Sequence, residues 1–407
     1  MRPAPVPLLE PRGGVPPVTD SPAALADVVR RFAAGTGPVA VDAERASGYR
    51  YSQRAYLVQL RRAGAGTALI DPIACPDLGE LSEAVADAEW VLHAANQDLP
   101  CLAGVGMRPS QLFDTELGAR IAGYERVGLA TMAEIVLGQQ LAKEHSAVDW
   151  SRRPLPEPWL RYAALDVEIL VDLRDALEGE LERQGKLTWA REEFATVLAA
   201  EPAPPRVDPW RRTSGIHRLR NRRQLAVVRA LWTERDRMAR DRDIAPGRML
   251  PDSAIVAAAA TAPANAEALG RLPGWGGKAT RRLVPVLWPV IEAALAEPDS
   301  ALPVPALHGD GPPPANRWPD RDPVAAGRLA RARVAIGAIA TEHGLPLENL
   351  LSPELVRRVA WTPPDPLTDD AVSSALRAGG ARSWQVMLTA AALAQALAPA
   401  DADADAG

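Results

Sequence analysis

Val39-Ala40-Val41-Asp42-Ala43-Glu44 decides how this chain is read. Its small and β-branched apolar residues suit a buried strand, and the strand ends in two carboxylates spaced i, i+2, which share one face. Like charges at the end of an apolar strand repel each other and lose hydration, a cost that a cation between them removes. Hard divalent ions such as Mg²⁺ take oxygen ligands of this kind. Taken alone, the pair could equally be a strand running out into a polar loop, so its meaning depends on what the rest of the chain brings to it.

The surrounding pattern is that of an α/β layer fold. Ser21 and Pro22 open a helix that runs through Phe32, as N-cap and first helical residue. After the first strand come Tyr56–Leu60 and Thr67–Asp71, joined by Gly64-Ala65-Gly66, so the three strands form an antiparallel meander. Helical periodicity over 78–88, a strand at Trp90–Ala94, a helix from near Asn96 and a strand at Gln111–Phe113 then alternate. Helices follow at 115–123, at 131–138 and from Glu157. Meander followed by alternation predicts a mixed sheet covered by helices.

The chain of 407 residues is long enough for about two to four domains and rules out wholesale disorder. Residues 1–20 read as a disordered proline-rich arm and 21–200 as the α/β domain. A linker at 201–212 leads to a helical domain at 213–297. A second linker at 298–322, with prolines crowded between 298 and 323, leads to a second helical domain at 323–398. Residues 399–407 form an acidic low-complexity tail. Cys75 and Cys101 are expected to be reduced packing residues, too few for a cysteine-rich zinc site or a disulfide scaffold. The N-terminus lacks the basic head and apolar block of a signal peptide, and no apolar run reaches spanning length. A cytoplasmic protein with no membrane partner is expected.

Two further acids complete the first pair. Asp98, in His93-Ala94-Ala95-Asn96-Gln97-Asp98-Leu99, falls on the first turn of a helix after the fourth strand, where the helix dipole favours it. Tyr162 and Asp166 are i, i+4, which puts a phenol beside a carboxylate on one helix face. His93, on an apolar strand, reads as a core residue.

The order Asp-x-Glu, then Asp, then Tyr-x₃-Asp resembles the motifs of the DEDD exonuclease family in its Tyr-bearing branch. Asp149-Trp150-Ser151-Arg152-Arg153-Pro154-Leu155, running into Tyr162–Val167, is similar to the ribonuclease D group of that family, over about 39–187. The resemblance implies a ribonuclease H-like exonuclease domain. It implies that Asp42, Glu44, Asp98 and Asp166 hold two divalent metal ions, Mg²⁺ or Mn²⁺, with Tyr162 beside the attacking water. It also implies a 3′→5′ exoribonuclease that releases nucleoside 5′-monophosphates from RNA, such as tRNA precursors or other structured RNA. Ala43 stands where many relatives carry Thr, and its side chain points away from the carboxylates. The residues themselves argue for phosphodiester hydrolysis only: two metals make a water acidic and clamp the leaving oxygen. A DNA 3′→5′ exonuclease and a catalytically silent nucleic-acid-binding protein stay open, although no carboxylate is missing.

A net charge of −5 hides an uneven distribution, with 13 Arg and five acids between Arg206 and Arg248. The six Arg of the stretch from Arg211 to Arg223 are expected to face nucleic acid. Arg45, Tyr49, Arg50, Tyr51 and Arg54 either contact a single strand or form a solvated loop. The candidate nucleic-acid contacts are Arg54, Lys143, Arg153, Arg222 and Lys278. Arg223 to Ala294, including Leu272-Pro273-Gly274-Trp275-Gly276-Gly277-Lys278, is similar to the HRDC domain shared by RecQ-type helicases and ribonuclease D. The segment with Arg357-Arg358 and Ser383-Trp384-Gln385 resembles the more divergent helical domain at the C-terminus of the same family. No protein partner is implied.

Overall fold

The computed structural model describes residues 4–141, 147–219, 221–305 and 311–399. Lys143 and the acidic tail beyond residue 399 lie outside them. In chain order the strands are β1 (Val6–Leu8), β2 (Val18–Thr19), β3 (Thr36–Arg45), β4 (Ala55–Ala63), β5 (Gly66–Ile70), β6 (Glu89–Leu92), β7 (Gln111–Asp114) and β8 (Gln139–Leu141). Six of them form one sheet in the order β2-β5-β4-β3-β6-β7. The β3–β4 and β4–β5 pairs are antiparallel and the other three parallel. The expected mixed sheet is therefore present, with β3 at its centre.

Alternation along β3 sorts its residues to two sides. Val39, Val41 and Ala43 enter the large core beneath helix α1 (Pro22–Ala34), whose N-terminus Ser21 caps through Ala24 N at 3.4 Å. Ala40 packs on the other side with Val91, Val167 and Leu170. Asp42 and Glu44 share the parity of Ala40, so they face the helices that carry Val167 and Leu170. Those helices are Glu157–Glu168 and Leu170–Arg183, consecutive and divided at Ile169.

The helix expected from near Asn96 is instead a 3₁₀ turn at Ala95–Gln97 followed by a short α-helix at Leu99–Ala103. Pro100 suits that restart, since proline is favoured in the first helical turn, where its missing N–H leaves no bond unmade.

From residue 4 on, the arm expected to be disordered is built into the fold. β1 pairs in parallel with β8, β2 adds an edge to the main sheet, Glu10 pairs with Arg161 at 2.9 Å, and Arg12 pairs with Asp172 at 2.7 Å. Proline-rich composition concealed a segment whose order comes from partners about fifty or more residues away.

Both linkers are shorter than expected, and in each case a tryptophan is the reason. Trp210 sits in the core of the first helical domain, inside the expected 201–212 linker. Trp318, inside the expected 298–322 linker, is fully buried and donates its indole N–H to Pro313 O at 2.8 Å. Burying a side chain of this size outweighs the local preference of its proline neighbours.

The two helical domains join the α/β domain differently. The second, Trp318–Leu397, shares one continuous core with it. Trp384 stacks on Trp189 at 5.2 Å, and Arg382 donates to Glu193 at 2.7 Å. Gly123, at φ +91, lies so close to Gly344 that a Cβ would stand 2.5 Å from its carbonyl oxygen. The first keeps a core of its own, to which the α/β domain contributes Tyr51.

Candidate active site

β3 carries Asp42 and Glu44 toward its C-terminal end, and β4 braces the first of them. Gln59, opposite Asp42 in register and fully buried, donates Nε2–H to Asp42 Oδ2 at 3.3 Å. Asp98 stands at the N-cap position of its helix but makes no capping bond with its side chain. The carboxylate faces the pocket instead.

A residue that sequence reading missed, Asp114, fixes the turn before it. Its buried carboxylate accepts from the backbone N–H of Ala94, Ala95, Glu116 and Leu117 at 2.8–3.2 Å. It thereby holds Ala94 at φ +60 and sets the start of the segment leading to Asp98. Nothing in the local spacing of Asp114 announces this, because its partners come from two separate segments. Asp166 arrives from the long helix with Tyr162 one turn earlier, the phenol hydrogen-bonded to the carboxylate.

These side chains close on one pocket of about 250 Å³, lined by Asp42, Glu44, Asp98, Tyr162 and Asp166 together with His93, Gln97, Leu129 and Leu170. Asp42, Glu44 and Asp166 each offer a carboxylate oxygen within 4.8 Å of the others. Burial, then repulsion from Asp42, Asp166 and Asp98, holds the Glu44 carboxyl well above its usual range. Burial, then Asp42, does the same to Asp166, and burial also raises Asp42. Asp98 is pushed up to about 8 by burial and then by Asp42. The Tyr162 phenol is raised by burial and by Asp166 and Glu44. Arg45 reaches the edge of the cluster, 3.8 Å from Asp98. A concave site of hard oxygen donors with so little compensating charge fits divalent cations, and those four carboxylates could hold them.

His93 is both core and wall. It lines the pocket, its Nδ1 lies 2.9 Å from Thr115 Oγ1, and burial lowers its pKa to about 4, so it is neutral at pH 7.

The expected nucleic-acid contacts fare unevenly. Arg54 is exposed with its guanidinium 4.9 Å from the Tyr56 ring centroid, and Lys278 is exposed at the start of a short helix. Arg153 is already engaged within the fold: it forks onto Asp71 at 2.6 and 2.8 Å and donates to Tyr56 O at 2.7 Å. Arg222 is engaged likewise, donating to Leu302 O at 2.5 Å and Pro303 O at 3.1 Å. Arg211 pairs with Asp208 and Val304 O, and Arg223 with Leu295 O and Asp299. Arg211, Arg222 and Arg223 thus close the chain segment after residue 295 onto the start of the first helical domain, while Arg212 and Arg218 of the same run are exposed. The loop 46–54 meets the same domain: Tyr51 donates to Asp236 at 3.1 Å, and Arg248 covers the Tyr49 ring at 3.8 Å.

Comparison with known proteins covers the whole arrangement. Residues 17–182 match a family described as 3′-5′ exonuclease, 224–291 the HRDC domain, and 311–397 a 3′ to 5′ exonuclease C-terminal domain. The chain is 34% identical to ribonuclease D of Gluconacetobacter diazotrophicus over 80% of its own length and 81% of that relative. It is 33% identical to ribonuclease D of Escherichia coli, covering 71% and 76%. Among solved structures, a protein from Bifidobacterium adolescentis superposes with a TM-score of 0.87 at 41% identity, covering 97% and 99% of the two chains. Escherichia coli RNase D superposes with a TM-score of 0.66 at 27% identity, covering 89% and 97%.

Proposed function

We propose, from the premise that this chain belongs to the ribonuclease D family of 3′-5′ exonucleases, that it is a divalent-metal-dependent exoribonuclease. It removes nucleoside 5′-monophosphates one at a time from the 3′ end of structured RNA, with tRNA precursors as the expected class, in the cytoplasm. The Escherichia coli relative is described as involved in structured RNA processing, which supports that choice of substrate. The observation that carries the reading is the pocket in which four carboxylates, Asp98 buried and the other three half-buried, meet one phenol.

Asp42, Glu44, Asp98 and Asp166 bind and orient, and two cations, Mg²⁺ or Mn²⁺, match their charge. When bound, such cations supply an acidified water and neutralise charge on the leaving oxygen. Tyr162 stays protonated at neutral pH because burial and its carboxylate neighbours raise it. It therefore acts as an orienting group: its O–H donates to Asp166, which leaves its oxygen to accept from the attacking water and aim it at phosphorus. Leu129 and Leu170 form the apolar part of the wall and limit bulk water. The water oxygen bonds to the terminal phosphorus, the bond to the preceding 3′-oxygen breaks, and that oxygen leaves with a proton.

Labelled RNA and DNA of equal sequence, incubated with Mg²⁺ or with chelator, test the reading. Mononucleotide release from RNA with Mg²⁺ alone is expected. Preference for DNA, or release in chelator, would contradict it.

A further inference from the structure

The loop joining β3 to β4 forms part of a second pocket of about 300 Å³, which shares Ala43 and Glu44 with the catalytic one. Its walls include Arg45, Tyr49 and Val148. Arg45 is partly exposed and faces Asp98 at 3.8 Å, so a guanidinium stands where the two pockets meet. Tyr49 lines the same pocket, its hydroxyl 3.4 Å from Ala147 O. A cation beside an aromatic ring is the chemistry that holds one phosphate and one base of a single strand. The shared Ala43 and Glu44 put the second pocket directly beside whatever nucleotide the first one holds.

The same loop is gripped from outside by the first helical domain. Ala245 N donates to Tyr49 O at 3.0 Å, and Ser52 N donates to Asp243 Oδ1 at 2.8 Å. Arg248 donates to Gly48 O at 2.7 Å and lays its guanidinium 3.8 Å from the centroid of the Tyr49 ring. Ser47 and Gly48 are exposed, so at the tip of the loop these bonds add to the packing of Tyr49 and Tyr51 on either side. Arg248 and Asp243 belong to neither pocket.

We propose that the second pocket receives the nucleotide preceding the one removed, and that the first helical domain sets its shape through Arg248 and Asp243. This inference rests on reading the first pocket as the exonuclease site. Arg248 is a positioning residue: it acts on the substrate only through Tyr49 and Gly48.

The test compares two substrates on the full-length protein with Mg²⁺. One is a short RNA oligonucleotide. The other is uridine 5′-monophosphate p-nitrophenyl ester, which puts p-nitrophenol in place of the preceding nucleotide. Arg248→Ala is expected to raise KM for the oligonucleotide about tenfold, the scale of a lost base-stacking contact, with kcat nearly unchanged. Its kinetics on the ester should match those of the unaltered protein. If Arg248→Ala cannot be purified folded, Arg248→Gln, which can still reach Gly48 O but carries no cation to the ring, gives the same comparison. Equal losses on both substrates would mean that the latch supports the catalytic strand, and no loss on either would mean that it supports nothing in the reaction; each overturns the proposal. Failure of the unaltered protein to cut either substrate would instead overturn the exonuclease reading.

Discussion

The acidic pocket and the arginine-rich entry to the first helical domain concentrate charge in opposite ways. In the pocket, Asp42, Glu44, Asp98 and Asp166 are crowded against one another, with Arg45 at the edge, and their carboxyls are all held above their usual range. At the helical entry, Arg211, Arg222 and Arg223 are answered within the fold by carbonyls and by Asp208 and Asp299. Both regions stand out in the sequence as dense charge. What separates them is compensation: charge matched inside the fold supports structure, and buried charge left unmatched awaits a ligand.

The strongest way to break this contrast is to remove one uncompensated charge. Asp42→Asn or Asp166→Asn should lower kcat by about 10³-fold or more, on the scale of groups that stabilise transition-state charge. The melting temperature of the chelated protein should stay level or rise, because repulsion in the pocket falls. Steady-state kinetics and melting curves in chelator check both halves.

Tyr162→Phe should be milder, with kcat reduced on the order of 10²-fold. Its affinity for Mn²⁺ should remain, since the phenol orients water and is not a ligand. Calorimetric titration separates the two roles: affinity lost in step with rate would make Tyr162 part of the cation site.

On the compensated side, Arg222→Ala should act on stability. Losing a charged donor from Leu302 O and Pro303 O should cost about 1–2 kcal/mol, read by urea denaturation, with RNA affinity unchanged. A fall in affinity at unchanged stability would return Arg222 to the nucleic-acid contacts. The smallest effect belongs to exposed Lys278. If it touches one phosphate, Lys278→Ala should flatten the log–log dependence of single-strand RNA affinity on salt by about 0.7, and leave thermal stability alone.

Much of this was legible in the sequence because the informative features are local. β-branched alternation marked β3, Ser21-Pro22 marked the first helix, and the i, i+2 and i, i+4 spacings placed Asp42 beside Glu44 and Tyr162 beside Asp166. What stayed hidden depends on distant partners. The arm before residue 20 is ordered by β8, β5 and the two consecutive long helices; Trp210 and Trp318 turn proline-rich stretches into domain starts; Asp114 positions a turn twenty residues before it. Arginine is the plainest case. Composition counts guanidinium groups, but only the fold shows that Arg153 and Arg222 already have acceptors.

Calorimetric titration of the chelator-stripped protein with Mn²⁺, repeated in buffers of different ionisation enthalpy, tests the central claim most directly. Asp98, raised to about 8, holds at pH 7 a proton that a bound cation must displace. Binding should therefore release protons at pH 7, release fewer as pH rises past 8, and be lost in Asp42→Asn. Binding with no proton release at pH 7, or binding untouched by Asp42→Asn, would contradict the assignment of the cations to these carboxylates.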